Sequence, residues 1–148
     1  MNTLYLFFHR HQYQLLRISI GVLFIWFGLL KFFPGASPAE RLATDTIQIL
    51  TFHLIPASIN FKILATMELL LGLLLVFSKE YKLTFWLLVF HMLATFTPLF
   101  ILSNVTFKQV PFKLSLEGQY IVKNLVILCC AFILLIAHRA EMVKKRVE

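Results

Sequence analysis

Six side chains carry the chemistry this sequence could offer: the carboxylate of Glu68, the amines of Lys31 and Lys123, the imidazole of His91, the phenol of Tyr120 and the amide of Asn124. All of them lie in or at the ends of long apolar runs. An acid, two cations and an imidazole in such surroundings can hold a proton, bind an anion or polarise a carbonyl. The same groups can also pair with one another and do no more than fasten helices together. Deciding between these uses requires the elements that carry them.

Those elements follow from composition. Of the 148 residues, 59% are hydrophobic and only 14% charged, and the mean hydropathy is +0.83. A soluble domain of this length has too little interior for so much apolar surface, whereas lipid-facing sides of a bundle need no protein cover. The expectation is an all-α integral membrane protein, a single domain built as a four-transmembrane-helix bundle. The formal net charge of +7 does not signal nucleic acid, because its densest cluster, "VKKRVE", directly follows a hydrophobic helix and reads as a topology signal beside anionic lipid.

The spans read off as about 15–33, 60–78, 83–103 and 119–138, each long enough to cross roughly 30 Å of hydrocarbon. The first fourteen residues, "MNTLYLFFHRHQYQ", suit an interfacial lead-in. A cleavable signal peptide is not expected, since Lys31 and paired phenylalanines occupy the would-be cleavage region. "PGASPAE" stops the first span. Ser37, with Glu40 three positions on, has the pattern of a capping box opening a short amphipathic helix over 39–54, which Pro56 ends. That helix would lie on the membrane or over the bundle mouth. "SKEYK" joins spans two and three. In the longer connector 104–118, "VTF" and "FKLSL" can pair as a small hairpin. Residues 139–148 form a basic tail.

Four spans bring both termini to one side. That side carries eight basic residues, Arg10, Arg17, Lys79, Lys82, Arg139, Lys144, Lys145 and Arg146, against four on the other, Arg41, Lys62, Lys108 and Lys113, with Lys31 and Lys123 left aside as lying within the spans. The positive-inside rule then assigns both termini to the cytoplasm of a cell inner membrane.

Within the spans, polar groups recur at helical spacing. The first has Arg17, Gly21, Phe24, Gly28 and Lys31; the second Ala65, Glu68 and Gly72; the third Thr84, Leu88, His91, Thr95 and Pro98. The fourth has Tyr120, Lys123 and Asn124, with Gln119 just before. Counting at 1.5 Å per residue sets Lys31, Lys123, Glu68 and His91 roughly 3 to 17 Å below the outer boundary. Each has a bland explanation. The lysines can snorkel to the headgroups, His91 can be a hydrogen-bonded packing residue, and the glycines can let helices approach. Glu68 is harder to dismiss, because its stem is short and an unpaired charge near mid-bilayer costs about 2.5–3.5 kcal/mol on an insertion scale. It is expected to be paired with Lys31 or Lys123. The adjacent Cys129 and Cys130 cannot form an unstrained bridge within a helix and read as packing residues. No metal-type spacing, phosphate loop or triad is evident.

The blocks "RISIGVLFIWFGLLKFFPG", "MELLLGLLL" and "LEGQYIVKN" together resemble the DoxX family of small four-helix membrane proteins, and are similar to membrane proteins linked to reactive-chlorine resistance. The resemblance rests on Arg17, Trp26, Gly28, Lys31 and Pro34, on Glu68 and Gly72, and on Gly118, Gln119, Tyr120, Lys123 and Asn124. It implies a four-helix fold. It also implies one of two kinds of role, since such relatives include a membrane subunit of thiosulfate:quinone oxidoreductase, members tied to oxidant or thiol stress, and more distant chaperones and cargo receptors. On the first, an outward-half pocket would use Lys31 and Lys123 to polarise a quinone carbonyl or hold an anion. Glu68 would set their charge or relay protons, and His91, Tyr120 and Asn124 would add hydrogen bonds. A bound quinone or a redox partner subunit would then supply the electron chemistry. On the second, the cluster is structural and the chain is a scaffold or chaperone. Assembly with further copies of the chain is open under either.

Overall fold

The computed structural model describes residues 2–78 and 81–147; Lys79 and Glu80 of the "SKEYK" connection, and Glu148 of the basic tail, lie outside them. Among the described residues, four helical segments are long and apolar enough to cross a membrane, Thr3–Leu30, Ala57–Phe77, Lys82–Ile101 and Leu116–Ala140. The protein is an all-α, four-helix membrane protein.

Helix α1 runs unbroken over Thr3–Leu30. It therefore begins well before residue 15, because nothing between Asn2 and Ile20 breaks it, and ring pairs one turn apart support the early turns (Tyr5 with His9 at 5.9 Å, Phe7 with His11 at 4.8 Å). It stops at Leu30 rather than 33. Tight i to i+3 bonds take over at Lys31, Phe32 and Phe33, ahead of Pro34 and of Gly35 at φ 74°.

Helix α2, Glu40–Leu50, is the amphipathic connector, with Leu42 and Thr46 buried. The Ser37 capping box does not form. Ala39 is the N-cap, without a side-chain bond, and the Glu40 carboxylate instead accepts from the Gly35 N–H at 2.8 Å, closing the preceding turn. The helix ends before Pro56, in a Schellman arrangement: His53 N–H donates to Gln48 O and Phe52 N–H to Ile49 O. Phe52 and His53 both adopt positive φ, 51° and 59°, a conformation that costs non-glycine residues roughly 1–2 kcal/mol each.

Helix α3, Ala57–Phe77, packs more extensively on α1 than on any other element. The reason lies at Gly28 and Gly72. A Cβ on Gly28 would stand 2.9 Å from the Leu69 nitrogen, and one on Gly72 would stand 2.7 Å from the Ile25 nitrogen and 2.8 Å from the Gly21 oxygen. Backbone meets backbone here, as small residues permit in membranes. Arg17 fastens the far end of this pair. Its guanidinium donates to the Val76 and Ser78 carbonyls at 3.3 Å each, satisfying groups that the end of α3 leaves open.

Helix α4, Tyr81–Phe96, ends earlier than 103 because Pro98 removes an N–H and crowds the carbonyl four residues back. The Ala94 carbonyl is recovered by the Thr97 N–H at 3.2 Å and the Thr97 hydroxyl at 2.8 Å. Short helices α5 (Pro98–Ile101) and α6 (Ser103–Thr106) lead to the hairpin of β1 (Phe107–Gln109) and β2 (Lys113–Leu114), paired Phe107 with Leu114 and Gln109 with Lys113.

Helix α7, Leu116–Val122, is capped by the Ser115 hydroxyl, which accepts from Gly118 N–H at 3.1 Å. After an irregular turn at Lys123, α8 continues over Asn124–Val147, so helix runs on from the fourth span into the basic tail. Helix α8 packs chiefly on α4. The bundle is thus two helix pairs, α1 with α3 and α4 with α8. They meet in one core of Ile20, Phe24, Leu71, Leu75, Phe85, Leu88, Met92, Ala131 and Leu134. Cys130 packs against that core and Cys129 is exposed.

Candidate functional site

The end of α1 turns the Lys31 side chain inward, and only 8% of the residue is exposed. Its ammonium donates to Glu68 Oε2 at 2.6 Å and more weakly to the Phe27 carbonyl at 3.4 Å. The second carboxylate oxygen, Oε1, lies 3.5 Å from His91 Nε2. Glu68 and His91 are 8% and 3% exposed. The His91 and Phe24 rings pack in a T-shaped contact, centroids 5.4 Å apart. Three helices therefore converge on one carboxylate, Lys31 at the end of α1, Glu68 from mid-α3 and His91 from α4. Pairing removes most of the cost of an isolated charge at this depth. The lysine does not snorkel; its stem and charge are both spent inside the bundle.

Two of the three partners belong to the α1–α3 pair and the third to the α4–α8 pair. The Glu68–His91 contact is thus a polar bridge over the seam between the pairs. A second polar contact lies within the other pair, where Asn124 Nδ2 donates to the Thr95 hydroxyl at 3.3 Å and that hydroxyl donates to Met92 O at 2.7 Å.

Lys123 does not reach the carboxylate. It sits in the irregular turn between α7 and α8 with its residue exposed, and its ammonium lies 4.2 Å from the centre of the Tyr120 ring and 6.0 Å from that of Phe27. Together with Leu116, Gln119 and Tyr120 it lines an open groove of about 330 Å³. Spacing along the chain puts Lys31 and Lys123 at similar depth, but the fold sends one inward and the other outward. Phe27 stands between them, its carbonyl toward Lys31 and its ring toward Lys123. The six residues thus resolve into a buried trio, an outer groove with Tyr120 and Lys123, and Asn124 held by Thr95.

Phe27, Thr95 and Leu116 are partners that the sequence reading leaves unassigned to a site. Thr95 was reachable, since it follows His91 by one turn on the same stripe. Phe27 was not, because it takes part through its backbone carbonyl and its ring face. Arg17 was visible in the first stripe, but its use in closing the end of α3 carried no separate signal.

Four membrane-crossing helices, three of them joined by a buried lysine–glutamate–histidine network, define a small polytopic membrane protein with a charged interior. The DoxX family model matches residues 13–103, and the chain belongs to the DoxX family. The match takes in the Arg17–Pro34 and Glu68–Gly72 blocks and His91; Tyr120, Lys123 and Asn124 lie beyond it. No curated protein and no solved structure matches the chain.

Proposed function

We propose that this DoxX-family protein is a membrane subunit of a redox or oxidant-stress system in the cell inner membrane, holding a quinone or a small oxidised species at the Lys123 groove. One observation carries the reading: a buried titratable trio and an outward lysine flank the same residue, Phe27, with the ammonium groups of Lys31 and Lys123 on its two sides. The groove residues suit a quinone. The Lys123 ammonium and the Gln119 amide are donors for a carbonyl oxygen, and the Tyr120 ring and Leu116 offer apolar contact for a flat ring. A bound quinone would supply two-electron, two-proton chemistry. The chain's own part is to orient the carbonyl with Lys123 and to keep a proton store behind Phe27, where Glu68 is shared between Lys31 and His91.

Purification in a mild detergent followed by mass spectrometry of bound small molecules tests this reading. Wild-type protein should retain quinone. Lys123→Met should retain about ten- to a hundredfold less while staying folded, since a charge-assisted hydrogen bond contributes roughly 1.5–3 kcal/mol. Quinone absent from the wild type, or retained equally by the variant, defeats the proposal. The same reading puts both termini in the cytoplasm, from the eight-to-four division of basic residues. A C-terminal reporter that works only in the cytoplasm should therefore be active, and an inactive one reverses the orientation.

A second reading is favoured by the close burial of the trio itself, in which the network only locks helices and the protein acts as a scaffold or chaperone. The paired substitutions described in the Discussion separate the two.

A further inference from the structure

The turn after α2 is expensive within the fold and yields nothing there. A Schellman ending needs a left-handed residue after the cap, a position glycine fills without strain. This chain uses phenylalanine and follows it with a second left-handed residue, His53. The side chains so presented do not pack: Phe52 is 84% exposed and Leu54 82%. They extend an apolar patch begun by the exposed Ile49 and Leu50 at the end of α2. The opposite face of α2 is already engaged, through buried Leu42 and Thr46 and through the Asn60 amide donating to Thr44 O at 3.2 Å. The helix is therefore fixed on the bundle, and its free apolar end cannot be an unformed part of the core.

We infer that the Phe52–Leu54 turn is a lipid anchor, seated in the headgroup–acyl boundary of the leaflet on the connector side and pinning α2 over the end of the bundle where Lys31 lies. Continuity of surface identifies the occupant. Pro56 opens α3, whose first turns expose Ile59 and Ile63, and α1 leaves the bundle through exposed Phe32 and Phe33. Leu54 therefore stands at the mouth of the lipid-facing surface, not out in water. Exposed Lys62, in the first turns of α3 beyond Pro56, suits a phosphate headgroup, as in other interfacial segments.

The inference is independent of the quinone reading. Its test replaces Trp26 and Trp86 by phenylalanine, introduces Phe52→Trp as the sole indole, and reconstitutes the protein in phosphatidylcholine–phosphatidylglycerol vesicles. Emission should be quenched more by lipids brominated near the glycerol end of the acyl chain than by lipids brominated near its terminus, and little by aqueous iodide. Quenching by iodide and by neither brominated lipid overturns the inference. So does protection that appears only at high protein-to-lipid ratio, which would assign the patch to a second copy of the chain. A second variant guards against a disturbed fold. Phe52→Gly with Leu54→Ser relieves the strained turn and should keep α2 folded, yet raise amide exchange over residues 49–54 in vesicles about tenfold; unchanged exchange overturns the anchor.

Discussion

Glu68→Leu should leave little folded protein in the membrane, and Lys31→Met should do nearly the same. Each variant strands one charge among buried groups, the Lys31 ammonium in the first and the Glu68 carboxylate in the second, since the two meet at 2.6 Å with side chains 7% and 10% exposed. Breaking a buried pair from one side costs about 3–5 kcal/mol, whereas replacing both members with apolar residues of similar volume is often neutral. The double variant Lys31→Met, Glu68→Leu should therefore recover most of the folded yield, read as monodisperse protein in mild detergent and as its thermal midpoint. A double variant no better than the singles would mean that the pair does more than balance charge. Turnover in the recovered double variant, not quinone occupancy, then separates the functional readings. Under the proposed redox role, quinone stays bound at Lys123 but proton-coupled turnover of the holoprotein is lost; if the trio only locks helices, the recovered double variant behaves as the wild type in both respects.

Gly72→Ala should be nearly as damaging, although it adds one methyl group. The new carbon would lie 2.7 Å from the Ile25 nitrogen and 2.8 Å from both the Gly21 oxygen and Ile25 Cγ1. Two of these atoms are backbone, so relief requires α1 and α3 to move apart. Overpacking of this kind costs about 1–3 kcal/mol, and separation of the pair would also stretch the Lys31–Glu68 bond that spans it. Leu73→Ala, next to it on an exposed face, should stay within about 0.5 kcal/mol. Thermal unfolding of both variants in one detergent checks the contrast, and equal losses would show that the close α1–α3 contact contributes nothing special.

Much of this architecture is legible in one dimension. Apolar run length specifies the four helices, Pro56 marks a real boundary, and the connector 104–118 carries the hairpin, although its first strand is Phe107–Gln109 while Val105 and Thr106 belong to α6; the break at Pro98 is one that run length alone passes over. The need of Glu68 for a cation is legible too, because a short acidic side chain cannot escape a bilayer. Which cation it takes is not. Residue counting gives depth along a helix but not the direction in which a side chain points once the helix turns or breaks. Lys31 lies just past the end of α1 and folds back; Lys123 lies in a break between two helical segments and swings out. Ser37 fails as a cap for a related reason. The Ser37–Glu40 spacing fits a capping box, but the helix starts at Glu40 with Ala39 as its N-cap, and the Glu40 carboxylate takes the Gly35 N–H instead. The early start of α1 was hidden by composition alone, since the aromatic and basic lead-in looks interfacial while containing no residue that stops a helix.

The division of the bundle into two helix pairs bears on how the chain is made. Spans leave the ribosome in order, and helices that have entered the bilayer then associate side by side. The α1–α3 pair involves the first two spans, so it can close while α4 and α8 are still being synthesised. Glu68 meets Lys31 at that moment and need not wait in lipid as a bare acid. His91 arrives one span later, and α4 reaches its main packing partner only when α8 follows. Biogenesis in this order makes the lysine–glutamate bond a checkpoint for the first half of the protein and the histidine contact the point at which the second half docks.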